Sequence, residues 1–125
     1  MRYLNIIIID DDQEDCELLE QAIGEVLPSA SCTVFNNAEF ALSKLRDIAF
    51  ESDIVFLDLN MPRMDGLQFL EVVREQEHLK NVPIIIFSTS PLIEVSKSRL
   101  LNVTGMVEKP ESFEALVSRV REVLA

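Results

Sequence analysis

Residues 6–15 read IIIIDDDQED, so four isoleucines run directly into five acids within six positions. A continuous run of branched apolar side chains is typical of a parallel strand that is buried on both faces. The acids that follow repel one another and require either water or a counter-ion. Two interpretations fit this junction. The strand leads into a solvated, acid-rich helix start, or it ends at a cation site.

The rest of the chain repeats the alternation of strand and helix. Short apolar runs predict five strands, at residues 4–9, 32–35, 54–57, 84–87 and 106–107. Apolar residues at helical spacing follow each strand and predict five helices, of which the fourth, at about residues 92–101, is the least regular. The core faces of these helices are predicted to consist of Cys16, Leu19, Ile23, Val26 and Leu27; Ala38, Ala41, Leu42, Leu45, Ile48 and Ala49; Leu67, Leu70 and Val73; Val95 and Leu101; and Phe113, Leu116, Val117, Val120 and Leu124.

Five βα units in succession predict an α/β fold, because right-handed crossovers place helices on the faces of a parallel sheet. The expected architecture is a flavodoxin-like, doubly wound (βα)5 three-layer sandwich with the strand order 2-1-3-4-5. The chain has 125 residues, 48% hydrophobic content and no linker-like segment. We therefore expect a single domain over residues 1–125.

Charge and composition disfavour several classes of protein. Twenty-two acidic residues against eleven Lys and Arg give a net charge of −11, which repels nucleic acid. The longest apolar run is far shorter than the roughly 20 residues of a membrane helix, and the first residues lack a signal-peptide pattern. Cys16 and Cys32 have no CxxC spacing. We expect a reduced, cytoplasmic protein that binds neither nucleic acid nor membranes directly.

The predicted strand order brings three carboxylates to one cleft. Strand 1 ends in Asp10 and Asp11, and the neighbouring strand 3 ends in Asp58. Two like charges about 4 Å apart cost on the order of 4 kcal/mol at an effective dielectric constant of about 20, so a cation is expected between them. Oxygen ligands of this kind suit Mg²⁺. The other acids of residues 12–15 are expected only to cap the first helix and to match its dipole.

Strands 4 and 5 add a hydroxyl group and a cation to the same edge of the sheet. Ser88 ends strand 4 in the segment FSTS, and Lys109 follows strand 5 in the segment EKP. Either residue alone is more often a turn residue or a solvated side chain. Together with the carboxylates they form a set that would bind a phosphoryl group, because phosphoryl transfer depends on positioning and on neutralising negative charge.

Four segments in this order, IIIIDDD, DIVFLDLNMPRMDG, FSTS and EKP, resemble the receiver domain of two-component response regulators over essentially the whole chain. The resemblance implies Mg²⁺-dependent transfer of a phosphoryl group to Asp58 from a sensor histidine kinase or a phosphotransfer protein. It implies a phosphorelay component that is not an enzyme, except that it catalyses its own phosphorylation and dephosphorylation.

The resemblance also implies the metal site. Asp11 and Asp58 would bind Mg²⁺ or Mn²⁺ directly, Asp10 would act through metal-bound water, and Asn60 would offer its backbone carbonyl. Lys109 would pair with the acceptor carboxylate or with its phosphoryl oxygens.

Further positions follow from the same resemblance. Ser88 would be the switch hydroxyl, and Met106 stands where the family usually has Tyr or Phe, so switching through an aromatic ring is in doubt. Gly66 would give backbone freedom to the turn into the third helix, with Asp65 as its cap. His78, the only histidine, is predicted to be a surface residue.

The partners implied are a kinase or phosphotransfer protein, an unknown downstream protein, and a second copy bound through the fourth helix, fifth strand and fifth helix. The chain ends with its fifth predicted helix, so no output domain is expected. Both a stand-alone regulator and a fragment of a longer protein fit this ending.

Two alternatives remain open. The segment IIIIDDD also fits a haloacid-dehalogenase-type phosphatase, with Asp10 as nucleophile and Asp12 as acid and base, although DLNMPRMDG would then be unexplained. The other alternative is a receiver-like binding module that acts without phosphorylation, which Met106 slightly favours and the complete set of acids, Ser88 and Lys109 disfavours.

Overall fold

The computed structural model describes residues 4–61, 64, 66–89 and 103–124. In this part of the chain, strands and helices alternate as the sequence predicts. The elements are β1 (Asn5–Ile9), α1 (Gln13–Val26), β2 (Ser31–Phe35), α2 (Ala38–Leu45), β3 (Ile54–Leu57), α3 (Gly66–Glu75), a 3-10 turn (Glu77–Leu79), β4 (Ile84–Ser88), β5 (Gly105–Glu108) and α4 (Phe113–Leu124).

The five strands form one parallel sheet in the order β2-β1-β3-β4-β5, which confirms the predicted fold class and strand order. Ile9 lies opposite Phe35 in β2 and Leu57 in β3, so these three strands end at the same level. On the other side of β3, Ser88 pairs with Glu108 at the ends of β4 and β5. Residues that immediately follow the strands therefore share one edge of the sheet.

The four isoleucines of β1 divide the core into two layers. Ile7 and Ile9 face the helices α2 and α3, whereas Ile6 and Ile8 face α1 and α4. None of the four is more than 1% exposed, as expected for a central parallel strand. The apolar faces of helices on both sides complete a three-layer sandwich.

The start of α1 separates the acid run into two parts. Asp12 is the N-cap residue, with extended backbone angles, and its side chain accepts a hydrogen bond of 3.0 Å from the backbone N–H of Asp15. Glu14 and Asp15 lie in the first turn, where negative charge is favourable. Asp10 and Asp11 precede the helix and remain at the edge of the sheet.

The prediction that Ile48 and Ala49 belong to the core face of the second helix is wrong. Helix α2 ends at Leu45, and Ile48 is 79% exposed. The Asp47 side chain accepts a hydrogen bond of 3.0 Å from the N–H of Ala49, and the Asp47 carbonyl accepts one of 2.9 Å from Phe50. Asp47 thus stabilises a turn instead of another helical turn, and Phe50 packs against the core in place of the two predicted residues.

Some predictions fall on residues outside the described part of the chain, among them the fourth helix with Val95 and Leu101, and the cap at Asp65.

His78 is exposed, as predicted, and its Nε2 lies 2.8 Å from the carbonyl oxygen of Leu45.

Gly66 is required for close packing and not for an unusual backbone angle, which corrects the reason predicted for it. A Cβ atom at this position would lie 2.5 Å from the Cα of Leu59 and 2.9 Å from the carbonyl oxygen of Asp58. Its φ angle lies outside the left-handed region. The first turn of α3 therefore contacts the backbone that follows β3, at a distance that excludes any side chain.

Two glycine substitutions should have opposite effects on stability. Gly66→Ala places a methyl group against backbone atoms, so we expect it to lower the free energy of unfolding by about 1–3 kcal/mol. Gly24→Ala, in α1 with no atom within 4 Å of the added Cβ, should raise it by about 0.5–1 kcal/mol. Urea unfolding of both variants measures the difference, and a neutral Gly66→Ala would contradict the close contact.

Candidate functional site

Three carboxylates meet beyond the ends of β1 and β3. One carboxylate oxygen from each of Asp10, Asp11 and Asp58 lies within 4.8 Å of the others. Asp10 is 1% exposed and Asp58 is 5% exposed, whereas Asp11 is open to solvent. The structure therefore brings together the three acids that the strand order predicts to meet.

Backbone hydrogen bonds hold these acids at the edge of the sheet. The N–H of Asp58 donates to the carbonyl oxygen of Ile9 at 2.9 Å, and the N–H of Asp10 donates to that of Phe35 at 3.0 Å. These bonds continue the β3–β1 and β1–β2 pairings one residue beyond the strands. The positions of the two buried carboxylates consequently depend on the sheet and not on a mobile loop.

Lys109 follows the edge strand β5, and its side chain extends from there to the carboxylates. Its backbone N–H donates to the carbonyl oxygen of Ser88 at 2.9 Å, which extends the β4–β5 pairing. Its Nζ lies 2.7 Å from Asp10 Oδ2, 2.9 Å from Asp15 Oδ2 and 3.5 Å from Asp58 Oδ2. The lysine side chain is only 10% exposed, so its ammonium group contacts three carboxylates with little access to solvent.

The environment of Lys109 favours its charged form. Burial by itself lowers the pKa of the ammonium group, but the contacts with Asp10 and Asp15 outweigh burial and raise the pKa above its ordinary value. Lys109 is therefore a permanent cation at neutral pH.

Asp10 carries the least well compensated charge of the site. Burial raises its pKa to about 6, and the neighbouring charge of Asp58 adds to the increase, although Lys109 and the N–H of Asp12 oppose it. Its Oδ1 accepts a hydrogen bond of 3.0 Å from that N–H. Its Oδ2 is buried and accepts no hydrogen bond of good geometry, so the ion pair with Lys109 is its polar contact within the described residues. A buried, incompletely satisfied carboxylate beside two others fits a divalent cation.

Ser88 and Asn60 are linked by a hydrogen bond. Ser88 is fully buried at the end of β4, and its hydroxyl oxygen accepts a hydrogen bond of 3.2 Å from Asn60 Nδ2. The backbone N–H of Asn60 also donates to Asp58 Oδ1 at 3.2 Å. Asn60 thus contacts both the predicted acceptor and the predicted switch hydroxyl.

Met106 lies within β5, opposite Ile86 of β4, and is 36% exposed. The position predicted to replace the family's aromatic residue is therefore partly exposed on the edge strand of the sheet.

Two residues of the site escape the sequence-based prediction. The acid run predicts only a helix-start role for Asp15, yet its carboxylate contacts Lys109. The sequence could have indicated this contact. Asp15 is the third residue of a helix capped by Asp12, and side chains at this position point back towards the helix N-terminus, where the site lies. Asn36 Nδ2 donates to the carbonyl oxygen of Asp10 at 2.9 Å, and no local pattern in the sequence indicates this contact.

A cavity of about 270 Å³ opens beside the exposed acid of the site. Its lining residues include Asp11, Asn36, Met61 and Met64. The acid cluster is therefore accessible to small molecules from this side, while Lys109 closes it on the other.

A comparison with protein-family models matches residues 6–121 to the response regulator receiver domain. The chain belongs to this family, whose members are phospho-acceptor switch domains of two-component signalling and not enzymes that turn over an external substrate.

Individual relatives agree with this assignment. PilG of Pseudomonas aeruginosa is 26% identical over 94% of this chain and 85% of its own length. The chemotaxis protein CheY of Treponema pallidum is 28% identical over 95% of this chain and 81% of its own length.

Solved structures show the same fold. The response regulator receiver domain from Rhodospirillum rubrum superposes with a TM-score of 0.85 at 26% identity, over 96% of this chain and 90% of that one. The Mn²⁺-bound form of the response regulator Rcp1 superposes with a TM-score of 0.84 at 21% identity, over 96% and 91%. No described helix combines the length and the apolar composition that a membrane span requires.

The buried Asp10 should make the metal-free protein less stable as pH rises. The pKa of Asp10 rises from 3.8 to about 6 on folding, so the folded state binds more protons than the unfolded state between pH 3.8 and about 6. The free energy of unfolding therefore falls as the pH rises through this range. In EDTA, Asp10→Asn should therefore raise the free energy of unfolding near neutral pH by roughly 1–3 kcal/mol. The gain should disappear below the unfolded-state pKa, as measured by urea unfolding over a pH series.

Asp12→Asn is the matched control for this substitution, because Asp12 is exposed and asparagine is an equally good N-cap. A destabilising Asp10→Asn in EDTA would contradict the electrostatic description.

Proposed function

We propose that this chain receives a phosphoryl group on Asp58 from a sensor histidine kinase or a phosphotransfer protein, and that phosphorylation changes a surface that binds a downstream protein. The observation that carries this proposal is the placement of the Lys109 ammonium group 3.5 Å from Asp58 Oδ2, in a cleft that also contains Asp10 and Asp11. A nucleophilic carboxylate, a cation and a metal-type acid pair together meet the requirements of phosphoryl transfer.

The proposed transfer is a single displacement. A carboxylate oxygen of Asp58 forms a bond to phosphorus while the bond between phosphorus and the donor histidine nitrogen breaks. The nitrogen keeps the bonding electron pair and takes a proton from solvent. Lys109 neutralises part of the charge on the phosphoryl oxygens, and the backbone N–H of Asn60 orients the acceptor through Asp58 Oδ1.

A divalent cation, Mg²⁺ or Mn²⁺, completes the proposal. The carboxylates of Asp10, Asp11 and Asp58 and the backbone carbonyl of Asn60 would hold it, and the unsatisfied Oδ2 of Asp10 supports this fit. The receiver-fold structure of Rcp1 in its Mn²⁺-bound form lends further support. When bound, the cation would neutralise negative charge on the donor phosphoryl group.

The proposed switch begins at Ser88. The hydroxyl oxygen of Ser88 accepts its present hydrogen bond from Asn60, so its O–H group can donate to a phosphoryl oxygen on Asp58 in a charge-assisted bond. Formation of this bond would bias an existing equilibrium of the β4–β5 surface. Met106 in β5 would report the change by moving at the surface, without an aromatic ring to bury.

The wider biological setting is likewise proposed. We infer a single receiver domain over residues 1–125 that works in the cytoplasm, accelerates its own dephosphorylation, and binds neither nucleic acid nor membranes directly. A second copy would bind through the predicted fourth helix together with β5 and α4.

Phosphorylation should occur at Asp58 and nowhere else. Incubation with acetyl phosphate and Mg²⁺ should add one phosphoryl group by intact mass, and Asp58→Asn or EDTA should abolish the addition. Borohydride trapping followed by peptide mapping identifies the modified aspartate. An acyl phosphate on Asp10 would instead support the phosphatase alternative, and no Asp58-dependent change in mass or conformation would support the phosphorylation-independent module.

Cation binding should stabilise the fold through Asp11. At a Mg²⁺ concentration 100-fold above its Kd, the free energy of unfolding should rise by about 2.7 kcal/mol. Asp11→Asn should remove most of this increase, because it deletes one of three clustered carboxylates.

Asp12→Asn, which neutralises the next residue and preserves the helix cap, should retain the increase. Urea unfolding with and without Mg²⁺ makes the comparison, and equal behaviour of the two variants would remove Asp11 from the proposed site.

A further inference from the structure

Asp15 is an acid of the site that the proposed chemistry does not use. Its Oδ2 accepts a hydrogen bond of 2.9 Å from Lys109 Nζ, whereas the same Nζ lies 3.5 Å from Asp58 Oδ2. In this state the ammonium group is therefore closer to a residue of α1 than to the proposed phospho-acceptor.

The ammonium group of Lys109 is already surrounded by carboxylates. An ammonium group has three N–H groups, and three carboxylates surround this one, from Asp10, Asp15 and Asp58. A phosphoryl group on Asp58 would bring additional negative charge close to the same nitrogen. One of the present partners must then loosen its contact with Lys109.

Asp15 is the partner that can leave at the lowest cost. The Asp10 side chain is 2% exposed and would be left as a buried charge, whereas the Asp15 side chain is 32% exposed and can turn into water. The backbone of Asp15 need not move, because its N–H is fixed by the side chain of Asp12. Only the rotation of one carboxylate is required.

From this geometry we propose that Asp15 is a positioning residue that competes with the phosphoryl group on Asp58 for Lys109. It holds the ammonium group in the site before phosphorylation and releases it afterwards. Asp15 thereby weakens the phosphorylated state relative to the unphosphorylated one. The inference rests on the proposed phosphorylation of Asp58.

The proposal predicts that removing the competitor tightens binding of a phosphoryl mimic. We expect Asp15→Asn to lower the Kd of beryllofluoride, at saturating Mg²⁺, by roughly three- to tenfold, the range for one partly exposed, charge-assisted contact. Isothermal titration calorimetry measures this Kd without any turnover. Urea unfolding checks that the Asp15→Asn variant is folded. If it is not folded, Asp15→Ser is used in its place.

Glu14→Gln is the matched control. Glu14 lies in the same helical turn, is exposed, and carries the same charge, but it makes no ion pair with Lys109. Its substitution measures the effect of reducing the overall negative charge. Tighter binding by Asp15→Asn than by Glu14→Gln supports competition for Lys109, whereas equal binding, or weaker binding by Asp15→Asn, overturns it.

A second pair of variants tests whether Asp15 acts through Lys109. In a Lys109→Gln background, the additional substitution Asp15→Asn should leave the Kd of beryllofluoride unchanged, because the contested cation is gone. A full effect in this background would overturn the proposal.

Failure of the proposed function has a different signature from failure of this inference. If wild-type protein does not bind beryllofluoride in an Asp58-dependent manner, the proposed phosphorylation fails, and this inference fails with it. If it does bind, but Asp15→Asn matches Glu14→Gln, only the role of Asp15 is wrong.

Discussion

The buried ion pair between Lys109 and Asp10 is the interaction on which the rest of the site depends. The two atoms are 2.7 Å apart, and the side chains are 10% and 2% exposed. Without the ammonium group, the ends of β1 and β3 would place two buried carboxylates next to each other with no cation, which is strongly unfavourable. The parallel sheet makes this arrangement possible, because it supplies acids from its central strands and a lysine from its edge strand at the same level.

The same ion pair leaves the site incomplete. One cation contacts three carboxylates, and burial together with the charge of Asp58 raises the pKa of Asp10. Such a cleft would gain stability from a divalent ion and would respond when the charge on one carboxylate changes. The local electrostatics therefore connect the stability of the sheet edge with the proposed signalling function.

Much of the fold could be predicted because it depends on local patterns of burial. The runs at β1, β3 and β4 are apolar on both faces, and the strand order follows from general rules for βα units. The convergence of Asp10, Asp11, Asp58 and Lys109 could also be predicted, because three of them directly follow a strand and Asp11 comes one residue later. The roles of these residues in phosphoryl transfer remain predictions.

Other features could not be predicted because they depend on side-chain geometry across the fold. Asp47 ends α2 through a local hydrogen bond that competes with the next helical turn, and a helical pattern alone does not reveal such competition. Asn36 reaches Asp10 from the loop after β2, a contact between residues that are distant in sequence. The negative charge of Asp15 is already explained by its place at the start of a helix, so this charge alone gives no reason to expect its contact with Lys109.

The hydrogen bond of 2.9 Å from the N–H of Gly66 to the carbonyl oxygen of Leu59 closes the connection between β3 and α3 into a ring. This hydrogen bond holds the backbone after β3 against the first residue of α3, and the close contact is possible because Gly66 has no side chain. Met61 and Met64, which lie in this connection, line the cavity beside Asp11. Substitutions at these two positions can therefore change the shape of the cavity while backbone pairing keeps Asp58 in place. Access to the acid cluster can consequently diverge without displacing the acids themselves.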